Sequence, residues 1–571
     1  MTTVATSKPV KRVGRTWPTP PATATAVARA GGRSMRAGRR TAFVALPTAA
    51  ALLLTACGGG DNGGDSAADP NSEVTVFTTE PENPLIPGGT NETGGGRVVD
   101  TIFSMLVRYD NEDASSVNEV AESIEADEDG RVFTITIKDD WKFHDGTDVT
   151  AQSFVDAWNW VAYAPNGALN ASFFEKIEGY EDVHPEDEGA EPASETMSGL
   201  EVIDETTFQV TLSAPFAIFP ETLGYSAYAP LPEAFFEDQE AWEAEPIGNG
   251  PFQFVSRIPD QEIKLARFED YAGEQQPQIE NLTYKVYQSL DAAYTAVVSN
   301  DLDVLDQIPV SALAGDAWQT DLEGRTLEVD LLLSYTLSFP LYDEVYEDVN
   351  LRRALSLAIN REEMAEQIFF GNRLPAQSRV PAVLLDDPEG QCEYCDYDPE
   401  RAKQLLAESG YTGDVGITYN SDGDHQQWVE AACNSIANTL EIGCNPEPVQ
   451  TFNVQREIAN AREFTTMYRT GWKADYPSIE NFLTPLLRTG ASSNDGDYSN
   501  PEVDAKLDEA DQASSVEEAT ELYMEAERMI NEDMPSIPVF DDKGQAGHST
   551  RVENVHLNPL RTLDVLSLSL A

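Results

Sequence analysis

The chain has 571 residues, 41% of them hydrophobic, which is enough for two or three lobes with cores of their own. Its formal net charge is −62, from 37 Lys and Arg against 99 Asp and Glu. A surface this acidic repels phosphate backbones and anionic lipid headgroups, which excludes nucleic acid as a partner.

The N-terminal residues are typical of an export signal. Residues 1–56 hold nine Lys or Arg and no acidic residue, and an apolar run occupies 42–54. That run is shorter than the roughly 20 residues of a membrane-spanning helix. The residues Leu-Thr-Ala-Cys at 54–57 resemble a bacterial lipobox, with a small-residue cleavage site before the cysteine. We therefore expect a signal peptide over 1–56, with Met35 as an alternative start, and a lipid on Cys57.

The first half of the folded body is predicted to mix strands and helices. Residues 57–72 are rich in glycine and are expected to form a flexible tether. Alternating apolar residues predict strands, and 3.6-residue apolar spacing predicts helices. The predicted strands lie at 73–79, 131–137, within 200–212 (two strands around a turn), at 263–268 and at 282–287. The predicted helices lie at 97–108 and at 151–162, the latter capped by Thr150.

The second half alternates more regularly between the two element types. The predicted helices lie at 291–299, 350–370 (a pair), 399–409, 426–440 and 516–532. The predicted strands lie at 304–305, 415–419 and 447–452, with an apolar segment at 535–540. This alternation is typical of an α/β lobe.

Four cysteines follow Cys57, and they leave more than one interpretation open. In an exported protein they indicate two disulfides, with three possible connectivities. Closeness in sequence favours Cys392 with Cys395 and Cys433 with Cys444. The Cys-x-x-Cys spacing also fits a redox site or half of a zinc site, but the five histidines are scattered along the chain, so no metal or cofactor is expected.

The segment 469–477 carries the chemistry of a binding site. It reads Arg-Thr-Gly-Trp-Lys-Ala-Asp-Tyr-Pro. Asp475 is suited to pair with a cation, and Trp472 and Tyr476 are suited to exclude water around it, which strengthens such a pair. From the residues alone, a buried aromatic turn with a structural acid is the simpler interpretation.

Motifs in chain order give the segment a context. They lie at 133–151 (Phe-Thr-Ile-Thr-Ile-Lys-Asp-Asp-Trp-Lys-Phe-His-Asp-Gly-Thr-Asp-Val-Thr-Ala), 246–252 (Pro-Ile-Gly-Asn-Gly-Pro-Phe), 350–361 (Asn-Leu-Arg-Arg-Ala-Leu-Ser-Leu-Ala-Ile-Asn-Arg), 397–406 (Tyr-Asp-Pro-Glu-Arg-Ala-Lys-Gln-Leu-Leu) and 534–539 (Met-Pro-Ser-Ile-Pro-Val). Together they resemble the extracytoplasmic solute-binding proteins of peptide ABC transporters, family 5. The resemblance runs in family order over nearly all of 73–540.

The resemblance implies a fold and a division into lobes. The fold class is α/β, a two-lobed periplasmic-binding-protein-like fold of type II, cluster C, with an extra subdomain in the first lobe. We expect lobe I at 73–290 with the subdomain at about 97–199, lobe II at 291–530, and a return to lobe I at 531–571.

The resemblance also implies roles for the residues of the segment 469–477. Asp475 would pair with the α-ammonium of a peptide, and Trp472 would line the site. Tyr476 is a further candidate for the ligand site, from its place beside Asp475. The backbone of Gly471 to Lys473 would pair with the peptide as an added strand. Arg469 would face the peptide or its carboxylate. Some relatives have a disulfide-bonded cysteine where this chain has Lys473, so their disulfide pattern does not transfer.

The expected function is a lipid-anchored, monomeric receptor that captures oligopeptides outside the membrane and passes them to an ABC permease. Alternatives are another family-5 solute, such as a nickel complex, haem or an oligosaccharide, or a peptide signal. A secreted hydrolase is disfavoured, because the sequence lacks the G-x-S-x-G and H-E-x-x-H motifs and a recognisable cysteine–histidine arrangement.

Overall fold

The computed structural model describes residues 72–185, 190–385, 391–421 and 425–571. The expected signal peptide, Cys57 and the tether up to residue 71 lie outside the described residues. Within the described ranges, every helix is too short or too polar to span a lipid bilayer.

Strands and helices alternate through most of the described chain. The strands are β1 (Glu73–Thr78), β2 (Val107–Tyr109), β3 (Ser116–Asn118), β4 (Ala121–Ala126), β5 (Val132–Ile137), β6 (Leu200–Val202), β7 (Thr207–Thr211), β8 (Phe252–Ile258), β9 (Glu262–Arg267), β10 (Asn281–Val286), β11 (Val304–Leu305), β12 (Thr326–Ser338), β13 (Arg373–Pro375), β14 (Val415–Asn420), β15 (Cys444–Val449), β16 (Met467–Lys473), β17 (Ser536–His548), β18 (Val552–Glu553) and β19 (Ser569–Leu570). The helices are α1 (Thr93–Ile102), α2 (Ala151–Ala162), α3 (Tyr180–Val183), α4 (Phe219–Thr222), α5 (Glu233–Glu237), α6 (Gln239–Ala244), α7 (Leu290–Val298), α8 (Val310–Leu313), α9 (Ala317–Asp321), α10 (Val349–Leu357), α11 (Arg361–Phe369), α12 (Pro399–Ser409), α13 (Gln426–Leu440), α14 (Phe452–Asn460), α15 (Glu480–Leu487), α16 (Pro501–Asp511) and α17 (Val516–Asp533).

Local capping chemistry fixes several helix ends. The side chain of Thr150 accepts a hydrogen bond from the backbone of Ser153 and starts α2, as predicted. The side chain of Asp398 caps α12, whose first residue is a proline. The same helix ends at Gly410, where a φ of 69° is one that glycine adopts without strain.

One sheet of eleven strands runs through both lobes. Ten of its strands follow the order β15-β14-β16-β12-β17-β11-β1-β10-β9-β8, and β13 pairs with β17 beside this path. A separate four-stranded sheet, β4-β5-β7-β6, belongs to the first lobe. Its strands lie between residues 121 and 211, and the extra subdomain is expected at about 97–199.

Two strands of 13 residues each, β12 and β17, connect the lobes. They pair with each other in antiparallel fashion on both sides of a register shift between Asp330 and Ser334. The far end of β17 pairs with β11, which itself pairs with β1. The chain therefore crosses between the lobes on β12 and β17. It also returns to lobe I after β16 and enters lobe II again between Ile530 and Met534, so a crossing does lie near residue 530, whereas the first lies on β12 and not near residue 290.

The hydrophobic cores define which residues each lobe contains. The core of lobe I takes its residues mainly from 74–284, 474–530 and 552–568. The core of lobe II takes its residues from 337–467 and 534–540. The expected extent of lobe II, 291–530, is therefore wrong at both ends. Helices α15 to α17 bury their apolar faces in lobe I, and residues 293–322 pack together with Phe77 of β1.

Both disulfides of the structure lie in lobe II. Cys392 pairs with Cys395 and Cys433 with Cys444, which is the connectivity that closeness in sequence favours. Arg361 is also buried in this lobe, with 3% of its surface exposed. Its guanidinium donates to the main-chain oxygens of Ser356 (3.1 Å), Cys395 (2.5 Å) and Pro538 (2.7 Å), so it holds three segments of lobe II together.

Candidate ligand-binding site

The predicted site segment begins as a strand, β16, rather than as a turn. Its first residues, Met467 and Tyr468, are buried. β16 pairs with β12 from Tyr468 to Lys473, but with β14 only at Met467 and Tyr468. The last part of β16 therefore has one edge that β14 does not cover.

The alternation of the antiparallel ladder shows which backbone groups face that edge. The N–H of Ala474 donates to the main-chain oxygen of Leu332 at 2.9 Å. Because hydrogen-bonded and non-hydrogen-bonded pairs alternate, Thr470 and Trp472 direct their N–H and C=O groups to β12. Gly471 and Lys473 direct theirs to the opposite edge. The C=O of Arg469 on that edge already accepts from the side chain of Gln455 (2.6 Å).

Asn481 of α15 fixes the turn that follows β16. It is buried, with 2% of its surface exposed. Its Oδ1 accepts from the indole N–H of Trp472 (2.9 Å) and from the backbone N–H of Asp475 (3.1 Å). Its amide Nδ2 lies 3.5 Å from Oδ2 of Asp475. A single buried amide therefore orients both the tryptophan and the carboxylate.

Lys473 and Asp475 line a cavity of about 790 Å³ at the junction of the two lobes. Lobe I contributes Asp100 of α1, Tyr225 and the segment 558–566. The side of the cavity next to the strands that connect the lobes is lined by residues 331–333, at the register shift of β12. The volume lies in the range of about 300–1,000 Å³ that is usual for ligand pockets.

The charged groups of this cavity influence one another. Enclosure by protein raises the pKa of Asp475 to about 6, although the hydrogen bond from Asn481 and the charge of Lys473 both act to lower it. Enclosure likewise raises the pKa of Asp100 to about 6 against the opposing charge of Lys473. The pKa of Lys473 is lowered, because enclosure outweighs the attraction of Asp100 and Asp475. The pKa of Tyr225 is raised, first by burial and then by the same two carboxylates.

The other predicted site residues do not line this cavity. Gly471 and Trp472 line a smaller cavity of about 50 Å³, together with Thr336 and Arg379. Trp472 therefore lines a different cavity from Asp475 in this structure, and its expected role as a wall beside the ligand stays a prediction. The cavities differ because the period of two in a strand sends the side chains of Trp472 and Lys473 to opposite faces.

Two further expectations are modified. Tyr476 is buried in the core of lobe I, and its hydroxyl donates to Glu480 (2.6 Å), so it packs behind the turn instead of lining the cavity. The guanidinium of Arg469 contacts the imidazole of His425 and lies 5.7 Å from the ring centre of Phe452. Arg469 is therefore placed in lobe II, away from the carboxylate of Asp475.

The His144-Asp145-Gly146 turn has a structural role. Nδ1 of His144 accepts from the N–H of Gly248 (3.1 Å), and Nε2 lies 3.1 Å from the main-chain oxygen of Gly250. Burial lowers the pKa of this histidine to about 4. The imidazole therefore holds the 246–252 motif against the turn.

Two lobes joined by long strands, with a charged cavity at their junction, define a receptor of the periplasmic-binding-protein type. The chain belongs to the bacterial extracellular solute-binding proteins, family 5, whose model for the middle part matches residues 116–494.

Known proteins are similar to the chain over most of its length. Oligopeptide-binding protein OppA of Bacillus subtilis is 24% identical over 88% of this chain and 94% of its own length. Heme-binding protein A of Haemophilus influenzae is 26% identical over 90% of this chain and 96% of its own. The crystal structure of Haemophilus influenzae OppA in complex with RPPGFSPFR matches the fold with a TM-score of 0.70 and 22% identity, covering 88% of this chain and all of that one.

Proposed function

We propose that this protein captures oligopeptides outside the membrane and delivers them to an ABC importer. The observation that carries the proposal is the position of Asp475. Its carboxylate is held by Asn481 in a cavity at the lobe junction, directly after a strand with an open edge. A peptide offers both partners that this arrangement needs: an α-ammonium for the carboxylate and a main chain for the strand edge.

The carboxylate supplies the orientation of the ligand. With a pKa of about 6, Asp475 is ionised at neutral pH but poorly compensated by its surroundings. An ammonium that enters the cavity compensates this charge in a space with little water, where the attraction is stronger than in bulk solvent. A peptide blocked at its N-terminus lacks this attraction and leaves the carboxylate uncompensated.

The strand edge supplies affinity without selecting side chains. The N–H and C=O groups of Gly471 and Lys473 face away from β12 and are suited to pair with an extended peptide. Because main-chain pairing is the same for most residues, we expect binding of peptides with many sequences. Arg469 would meet the peptide farther along, on the side of its carboxylate.

Closure of the lobes would complete the site. The register shift on β12 is an interruption of the strand pairing at which the connection between them would bend. A ligand that contacts both lobes binds the closed state more tightly and shifts the population toward it.

The similar proteins and the N-terminal residues support the proposed capture of peptides by a membrane-attached receptor. The Bacillus subtilis relative is an oligopeptide-binding protein. The lipobox-like residues at 54–57 support attachment to the membrane by a lipid on Cys57, with the receptor working as a monomer beside a permease. The relative named a heme-binding protein makes haem the second ligand to test.

Calorimetric titration tests the proposal. The protein is freed of bound ligand by unfolding and refolding, then titrated with a pool of tri- to pentapeptides and, separately, with haem. We expect the peptide pool to bind and Asp475→Ala to lose most of that affinity, whereas Asp140→Asn at an exposed site does not. Haem binding without peptide binding would replace the peptide proposal by the second candidate.

A further inference from the structure

Three charged side chains from different parts of the chain line the large cavity. Asp100 lies near the end of α1 in lobe I, Lys473 is the last residue of β16, and Asp475 follows two residues later. Asp100 and Lys473 are exposed to the cavity, and Asp475 is half-buried. The positive charge of Lys473 acts on both carboxylates.

The arginines that line the cavity have carboxylate partners of their own. The ion pairs are Arg97–Asp306, Arg108–Glu119 (3.3 Å) and Arg561–Asp542 (3.4 Å). Of the remaining lining carboxylates, Glu92 accepts a backbone hydrogen bond from Gly95 (2.9 Å) and Asp564 accepts one from Leu566 (3.0 Å), and Glu274 is exposed. Lys473 is the charged group that acts on both Asp475 and Asp100.

The count of charges in this trio is two negative and one positive. Of the two carboxylates, Asp100 attracts Lys473 more strongly than Asp475 does. With Lys473 compensating Asp100, one negative charge remains, on Asp475. One cationic group of a ligand completes the balance, and a second one has to compete with Lys473 for Asp100.

We propose that Lys473 and Asp100 determine the charge of the ligand that the site accepts. The pair selects peptides whose only cation at the first residue is the α-ammonium, and it disfavours a basic first side chain. This inference rests on the proposed peptide function and specifies its substrate class.

The two members of the pair have opposite effects when removed. Without Lys473, two carboxylates face the cavity and accept a ligand with two cations. Without Asp100, the positive charge of Lys473 acts mainly on Asp475. Lys473 then competes with the ligand ammonium for that carboxylate. Removing both leaves Asp475 with the same net charge as in the wild-type trio.

Titration with two tripeptides tests the proposal. Ala-Ala-Ala carries one cation at its first residue and Lys-Ala-Ala carries two. Each is titrated into the wild type, Lys473→Met, Lys473→Arg, Asp100→Asn and the double variant Asp100→Asn/Lys473→Met. Asp140→Asn serves as the charge-matched control at an exposed site outside the cavity lining. Circular dichroism and thermal unfolding establish that each variant is folded.

We expect the wild type and Lys473→Arg to prefer Ala-Ala-Ala. In Lys473→Met the ratio of the two affinities shifts toward Lys-Ala-Ala by about tenfold or more, which is the effect of one modest charge interaction. Asp100→Asn weakens Ala-Ala-Ala by about tenfold, and the double variant recovers to within about threefold of the wild type.

Two different failures are distinguishable. If the wild type binds neither tripeptide nor any longer peptide, the proposed function falls and this inference falls with it. If the wild type binds peptides but Lys473→Met keeps the wild-type ratio of affinities, the charge-balance inference is overturned and the peptide function stands. The same conclusion follows if the double variant binds Ala-Ala-Ala no more tightly than Asp100→Asn does.

Discussion

Replacing Asp475 by asparagine should stabilise the ligand-free protein, and the gain should grow with pH. In the folded protein the pKa of Asp475 is about 6, against 3.8 for an ordinary aspartate. The folded state therefore holds this proton more tightly than the unfolded chain does. The contribution of Asp475 to the free energy of unfolding is most favourable below about pH 4, falls as pH rises through about 6, and stays low above that.

The size of the effect follows from the two pKa values. Each pKa unit corresponds to 1.36 kcal/mol, so the ionised carboxylate costs the folded state up to about 3 kcal/mol at pH 8. Water in the cavity reduces this figure. Asparagine has no proton to lose and accepts the same hydrogen bond from Asn481, so it lacks the cost at high pH.

Thermal unfolding of the two ligand-free proteins between pH 4 and pH 8 measures the effect. Asp475→Asn should unfold at a higher temperature than the wild type at pH 8, and at nearly the same temperature at pH 4. Asp140→Asn, at an exposed position, should follow the wild type at both values. A variant that is equally stable or less stable than the wild type at pH 8 would refute the idea that the carboxylate is held at an energetic cost.

Three further predictions concern the pH dependence of binding and the core of lobe II. Peptide affinity should fall below about pH 6, approaching tenfold per pH unit, because the ligand ammonium needs the ionised form of Asp475; calorimetry from pH 5 to pH 8 checks this. Replacing Cys433 and Cys444 together by serine removes a cross-link between residues 11 positions apart and should lower the free energy of unfolding by about 3 kcal/mol. Denaturant unfolding measures this change, and an unchanged midpoint would contradict the prediction. Arg361→Ala should cost at least about 3 kcal/mol in the same assay, because it removes the guanidinium that donates to three main-chain carbonyl groups in a buried site, and Arg361→Lys should recover only part of that loss.

Elements with strong local signals could be predicted from the sequence. The helix over 151–162 follows from its threonine cap and apolar spacing, and those over 399–409 and 426–440 also have the bounds expected. β12 was not predicted, because the run Leu331-Leu332-Leu333 interrupts its alternation at the register shift. Helix α14 begins at Phe452, which the sequence predicts as the end of a strand.

The division into lobes could not be predicted from periodicity. An amphipathic helix shows in its sequence that it has an apolar face, but not which core that face joins. Helices α15 to α17 follow the lobe II strand β16 in the chain and still pack into lobe I. The pairing of β11 with β1 is equally a product of contacts between distant residues.

For the site, the sequence predicts the segment and the structure adds its surroundings. Asp475 and Lys473 could be found because they lie in one motif. Asp100 and Tyr225 could not, because they are hundreds of residues away and neither belongs to a recognised motif. Asn481 offered only a weak signal, as an amide next to the apolar residues Phe482 and Leu483.

The central claim, that Asp475 anchors the α-ammonium of a peptide, is tested most directly by a double-mutant cycle. One tripeptide, free and N-acetylated, is titrated into the wild type and into Asp475→Asn. Acetylation should weaken binding to the wild type by several kcal/mol, since it leaves the half-buried carboxylate unpaired, and should change binding to the variant little. Equal loss on acetylation in both proteins would show that the ammonium binds elsewhere and would contradict the account.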